Sequence, residues 1–136
     1  MSSLNKAYFF SLFLLILTSA MLGQNKLQLD FSPVNAGEGQ LFVQVENEDA
    51  SYHLDTIMKA NTAMVSLQLN DLKSGKYLVK VFYDQNSNGK MDTNMFGVPT
   101  EKYGFSNNAR GTFGPPSKEA TLFSVPEIKK MDIQLK

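Results

Sequence analysis

Period-two alternation runs through this chain from Leu27 to Leu135, and it decides what the chain can fold into. Leu27, Leu29 and Phe31 alternate with Gln28 and Asp30, and Leu41, Val43 and Val45 alternate with Phe42, Gln44 and Glu46. Val65, Leu67 and Leu69 alternate in the same way with Ser66, Gln68 and Asn70. Successive side chains of a strand point to opposite faces, so each run describes a strand with one buried side. Tyr77 to Tyr83 is apolar on both parities except at Lys80, which predicts a central strand. Phe123 with Val125, and Met131 with Ile133 and Leu135, predict two more strands, and Tyr52 to Met58 a weaker edge strand. No run of useful length carries the three- and four-residue spacing of a helix stripe. The expected fold is therefore all-β: an antiparallel β-sandwich, immunoglobulin-like or transthyretin-like, with one long ordered loop.

The first 23 residues read as a signal peptide. Lys6 supplies a positive start, Ala7 to Leu17 is apolar apart from Ser11, and Thr18-Ser19-Ala20 offers small residues for a cut after Ala20. A cut after Gly23 is nearly as good a fit. The run is too short for a comfortable transmembrane helix and has no charged stop-transfer flank. The expectation is an exported protein, periplasmic, outer-surface or extracellular, with no transmembrane span in the mature chain. Residues 24–136 then make a single domain, which should bury roughly 65% of its unfolded surface. There is no cysteine, so no disulfide braces it. The chain has 13 basic and 13 acidic residues, and removing Lys6 leaves the mature part at −1. That balance excludes the basic footprint of a nucleic-acid binder.

Chemistry concentrates in Asp84 to Asp92, DQNSNGKMD, at the end of the central strand. Asp84, Asn86 and Asn88 occupy loop positions one, three and five, and Gly89 permits the sharp bend at position six. The Lys90 carbonyl and Asp92 fall at positions seven and nine. Oxygen donors at this spacing suit Ca²⁺ rather than zinc. Position twelve is Met95, which cannot supply the bidentate carboxylate of an EF-hand. Glu101, returning after Gly97, Val98 and Pro99, is the first choice to close the shell, ahead of Asn107 and nearby backbone oxygens. The competing reading is a plain Asn/Gly turn whose side chains cap their own backbone.

Thr93 to Ala120 shows little regular pattern, and a connection of that length is disordered or functional. Phe96, Tyr103, Phe105 and Phe113 are too many rings for a disordered linker, so the loop should pack over one end of the sandwich. Tyr103, Phe105, Asn107, Asn108, Arg110 and Phe113 form a candidate ligand surface for a polysaccharide or an envelope protein. Their competing role is to anchor the loop. His53, the one histidine, lies on the expected edge strand and reads as structural. No catalytic constellation stands out. The best enzyme alternative is a secreted hydrolase using Asp84, Asp92 and Glu101, but calcium would hold those carboxylates ionised.

With these residues in view, the chain resembles the bacterial family termed domain of unknown function 2141 (DUF2141). The likeness spans roughly Leu27 to Leu135. It is carried by Leu72/Gly75/Tyr77, the acidic Asn-Gly loop Asp84 to Asp92, the step Gly97/Pro99/Glu101, and Gly104 to Asn107. Tyr83 stands where such proteins often carry histidine, which removes an imidazole beside the loop, and Lys118 stands where an aromatic is common. The resemblance implies a small exported β-sandwich and no particular reaction.

Overall fold

The computed structural model describes residues 25–136. The signal peptide expected over residues 1–23 lies outside them. Strand β1 (Asn25–Ser32) sends Leu27, Leu29 and Phe31 into the core, and β2 (Gln40–Asn47) sends Leu41, Val43 and Val45. Strand β3 (His53–Lys59) and β4 (Val65–Leu72) follow, and then β5 (Gly75–Asp84), with Tyr77, Val79, Val81 and Tyr83 buried. The short strands β6 (Tyr103–Phe105), β7 (Phe123–Val125) and β8 (Lys130–Gln134) complete the set.

Two sheets face each other across this core. One has the order β4-β1-β8 and the other β3-β2-β5-β6, with β7 pairing the same central strand β5. Strands β6 and β7 pair different stretches of β5, at Lys80–Phe82 and Gly75–Tyr77 respectively. The predicted alternation holds for β1 and β2, because burying one face of a strand leaves no freedom in its register, and β5 is the expected central strand, with Tyr77, Leu78 and Val79 buried in succession and Lys80 exposed.

Two features differ from the purely antiparallel expectation with a long irregular connection. The β1–β8 pair is parallel, running from Gln28↔Lys130 to Ser32↔Gln134. Alternation reports which face of a strand is buried and nothing about its direction, so this was not legible. The connection after β5 also contains β6, a 3₁₀ turn (Ser106–Asn108) and a short helix α1 (Lys118–Thr121) capped by the Ser117 hydroxyl, which accepts from the Ala120 amide. Three residues are too few to display a period. Strand β6 is placed instead by close approach: a Cβ on Gly104 would sit 2.9 Å from Ile133 Cγ2 and 3.0 Å from the Gln134 carbonyl oxygen. The second sheet therefore reaches the last strand of the first through a glycine.

Candidate metal loop and ligand surface

Strand β5 delivers Asp84 to the end of the sandwich with its side chain fully buried. One carboxylate oxygen accepts from the Asn88 amide at 3.1 Å, and the other from the Gly89 amide at 2.9 Å and Gln40 Nε2 at 3.0 Å. Burial alone would raise this carboxyl. The Gln40 amide and the backbone N–H groups of Gly89, Asn88 and Ser87 outweigh it and hold Asp84 below the ordinary aspartate value. Gly89 has φ +83°, the left-handed conformation that a sharp bend requires.

The side chains then close on themselves. Asn86 Oδ1 accepts from the Asn88 amide, and Asn88 Oδ1 from the Lys90 amide, as successive Asx turns. Both side-chain amides donate to Asp92, Asn86 Nδ2 at 2.6 Å and Asn88 Nδ2 at 2.8 Å. Asp84, Asn86, Asn88 and Asp92 therefore form one hydrogen-bonded cluster. Among the described residues, no group of three or more His, Cys, Asp and Glu side chains is placed to hold a metal ion. A cation here would depend on amide oxygens, with Asn86 and Asn88 turning Oδ1 toward the position their N–H groups now occupy beside Asp92.

Glu101 arrives by a small hairpin. Thr93 bridges Pro99, the Thr100 amide donates to the Asp92 carbonyl, and Asn94 Oδ1 accepts from the Phe96 and Val98 amides. The Glu101 carboxylate then clips both ends of the nonapeptide, one oxygen taking the Gln85 amide at 3.0 Å and the other the Asp92 amide at 3.1 Å. The Glu101 side chain is thus beside the loop, engaged with its backbone. Glu38, Gln85, Asn86, Asp92 and Glu101 line an open hollow there.

The six residues of the expected ligand surface divide in two. Tyr103 and Phe105 lie edge-to-face at 6.0 Å and line a cleft on the outer face of the second sheet. Asn107, with φ +59°, donates to the carbonyls of Ala120 and Leu122, and Asn108 both donates to the Asp132 carbonyl and accepts from the Gln134 amide. Arg110 donates to the carbonyls of Tyr103 and Gln134 and stands 5.3 Å from the Tyr103 ring centroid. These three side chains tie the connection to the sandwich. Phe113 and Phe96 are exposed, so polar bonds rather than those two rings hold the segment.

Ser106 carries no distinctive sequence signal. It is fully buried, accepts from the Val79 amide at 3.0 Å and donates to the Thr121 carbonyl. Only its place one residue after β6 marked it, and serine in an irregular segment is too common to notice. His53 lies on the exposed edge strand, 2.9 Å from Asp55 and 3.6 Å from Glu46. The Asp55 hydrogen bond, opposed by slight desolvation and helped by the charges of Asp55 and Glu46, raises its pKa.

A family model described as "Uncharacterized protein conserved in bacteria (DUF2141)" matches residues 30–134. No curated protein and no solved structure shows a significant match.

Proposed function

The chain belongs to the DUF2141 family, and we propose that it is an exported β-sandwich stabilised by Ca²⁺ at Asp84–Asp92, acting as a binding or structural module. The observation that carries this reading is the convergence of Asp84, Asn86, Asn88 and Asp92 into one cluster whose two ends Glu101 joins. The Lys90 carbonyl and the Glu101 carboxylate would complete the shell. A divalent ion would replace amide donors at Asp92 with a stronger partner, and binding to the folded state alone would stabilise it.

Export is supported by the apolar leader ending in small residues, and no helix among the described residues is long and apolar enough to cross a membrane. The strand order supports a transthyretin-like sandwich over an immunoglobulin-like one. The second and third strands share a sheet here, whereas the immunoglobulin arrangement divides them between sheets. An envelope protein or polysaccharide is the partner class that suits Tyr103 and Phe105, with Arg110 over the Tyr103 ring, Asn107 and Asn108 tying the segment to the sandwich, and Phe113 exposed. The hydrolase alternative has less support, because Asp84 is held in its ionised form and a general acid must carry a proton.

Thermal melting in calcium and in chelator, for wild type and Asp92→Asn, tests the metal. At a hundredfold excess over Kd the ion should contribute about 2.7 kcal/mol, a rise of roughly 10 °C for a domain of this size. The substitution should abolish most of that rise, and because it removes one acceptor oxygen from the Asn86 and Asn88 amides it should also lower the chelated melting point by a few degrees, about 1 kcal/mol. Melting that ignores calcium in both proteins would refute the site.

A further inference from the structure

The outer face of the second sheet carries two cross-strand rows of unlike character. Register places Ile57, Phe42, Phe82 and Tyr103 side by side on β3, β2, β5 and β6, an apolar row crossing every strand of the sheet path. Phe42 and Phe82 stack at 4.7 Å between centroids with their planes 1° apart. Two residues along each strand lies the second row, Asp55, Gln44, Lys80 and Phe105, which is polar over three strands. The solvent face of an antiparallel sheet ordinarily alternates to polar residues. An apolar row of four there is unexplained by packing, and Ile57 remains 57% exposed.

These rows floor a cleft of about 810 Å³. Two stretches of the connection after β5 also line it, Met91 with Gly97 and Pro99, and Gly114 with Pro115. Apart from Met91 these residues are low in side-chain bulk, while the large apolar residues next to them in sequence, Phe96 and Phe113, are exposed. A cleft of this size with an apolar floor and a few convergent polar groups has the form of a small-molecule site. Its dimensions follow from sheet geometry. Four strands about 4.8 Å apart make a floor roughly 14 Å long, and two rows two residues apart make it roughly 7 Å wide. The polar row holds one carboxylate and one ammonium, and each already has a partner: Asp55 with His53, and Lys80 with Glu46 at 3.5 Å. The row's carboxylate and ammonium cancel, which leaves no net charge for an ionic ligand to neutralise, whereas the Gln44 amide gives one N–H to Asp55 Oδ1 at 3.3 Å and keeps its carbonyl oxygen and second N–H for a ligand.

We propose that this cleft binds a small, flat, uncharged molecule of two or three rings, lying across the strands with a hydrogen-bonding group along its Gln44 edge. The inference concerns the same rings, Tyr103 and Phe105, as the macromolecular partner proposed above and assigns them a different occupant. It does not depend on calcium, although Met91 makes the loop a neighbour of the cleft.

N-phenyl-1-naphthylamine, a neutral two-ring-system amine that fluoresces in apolar surroundings, is a direct probe. Titration into the wild-type protein should saturate at one probe per chain, in calcium and in chelator alike. Amide and aromatic NMR shifts should concentrate on β2, β5 and β6. Ile57→Lys, at an exposed side chain, should weaken binding about tenfold, and Gln44→Ala about threefold, with melting unchanged in both. Absence of saturable binding, or binding that Ile57→Lys leaves intact, would overturn the proposal. So would sedimentation showing that a second copy of the chain covers these rows, or displacement of the probe by a soluble glucan oligosaccharide. The melting experiment on Asp92→Asn reads the metal loop separately, so either idea can fail without the other.

Discussion

Asp30 shows how one residue can break the alternation rule at no cost to the fold. It lies on the outward parity of β1, yet it is buried, because Ser66 Oγ at 2.6 Å, Gln28 Nε2 at 3.0 Å and Lys130 Nζ at 3.0 Å cover it from three strands. The Ser66 hydroxyl first, then Gln28, working against burial and helped by Lys130, lower its pKa from 3.8 to about 2. A depressed folded-state pKa means that the stabilisation is fully present above the unfolded value and disappears as pH falls through the folded one. Asp30 should therefore contribute about 1–2 kcal/mol at neutral pH, discounted for the exposed Lys130 ammonium, and lose it between about pH 4 and pH 2. Urea unfolding of wild type and Asp30→Asn across that window should show two stabilities that differ at pH 7 and converge near pH 2. A constant gap at all pH values would mean that the hydrogen bonds, not the charge, carry the effect. The sequence displayed Asp30 only as an outward residue, because Ser66 and Lys130 come from other strands and become its neighbours only after pairing.

At the scale of elements, the nonapeptide and the hairpin behind it act as one unit. The spacing of Asp84, Asn86, Asn88, Gly89 and Asp92 was readable because each position is set by local turn geometry. That Glu101 would come back beside them was readable from the Gly97-Val98-Pro99 step. That its carboxylate would take the Gln85 and Asp92 amides was not, since backbone donors have no signature in sequence. Glu101→Gln keeps the length and one acceptor but loses one acceptor oxygen and the charge. It should cost about 1–2 kcal/mol in chelator, the range for hydrogen bonds to a charged group. If Glu101 also closes the metal shell, calcium affinity by isothermal titration should fall by at least about tenfold. A normal affinity on a destabilised protein would leave Glu101 as a clip alone. Farther along, Asn107→Gly separates conformation from bonding. Glycine accepts φ +59° but cannot donate to Ala120 and Leu122, so the variant should lose about 1–2 kcal/mol by urea unfolding.

Across the whole molecule, the last strand links the two sheets. Strand β8 pairs with β1 in the first sheet, and the residues around its end bind the second: Tyr103 and Lys136 exchange backbone hydrogen bonds at 3.0 and 3.1 Å, and Arg110 takes the Gln134 carbonyl. Ile133 is fully buried and its Cγ2 lies against the Gly104 backbone, so it supports the strand that presents Tyr103 and Phe105 to the cleft. Core truncation to alanine at a buried isoleucine costs about 2–5 kcal/mol wherever it is made. Position decides what else is disturbed. Ile133→Ala should lower global stability by about 3 kcal/mol and also accelerate hydrogen exchange at the Gly104 and Phe105 amides beyond the global loss. Leu27→Ala removes a side chain of similar size, also fully buried, from the opposite end of β1. It should match the global loss and leave β6 exchanging only through complete unfolding. Equal exchange at β6 in the two variants would mean that Ile133 is ordinary core and that the cleft floor stands without β8. Faster exchange in Ile133→Ala alone, accompanied by weaker probe binding, would show that the cleft floor depends on the packing of β8 against β6.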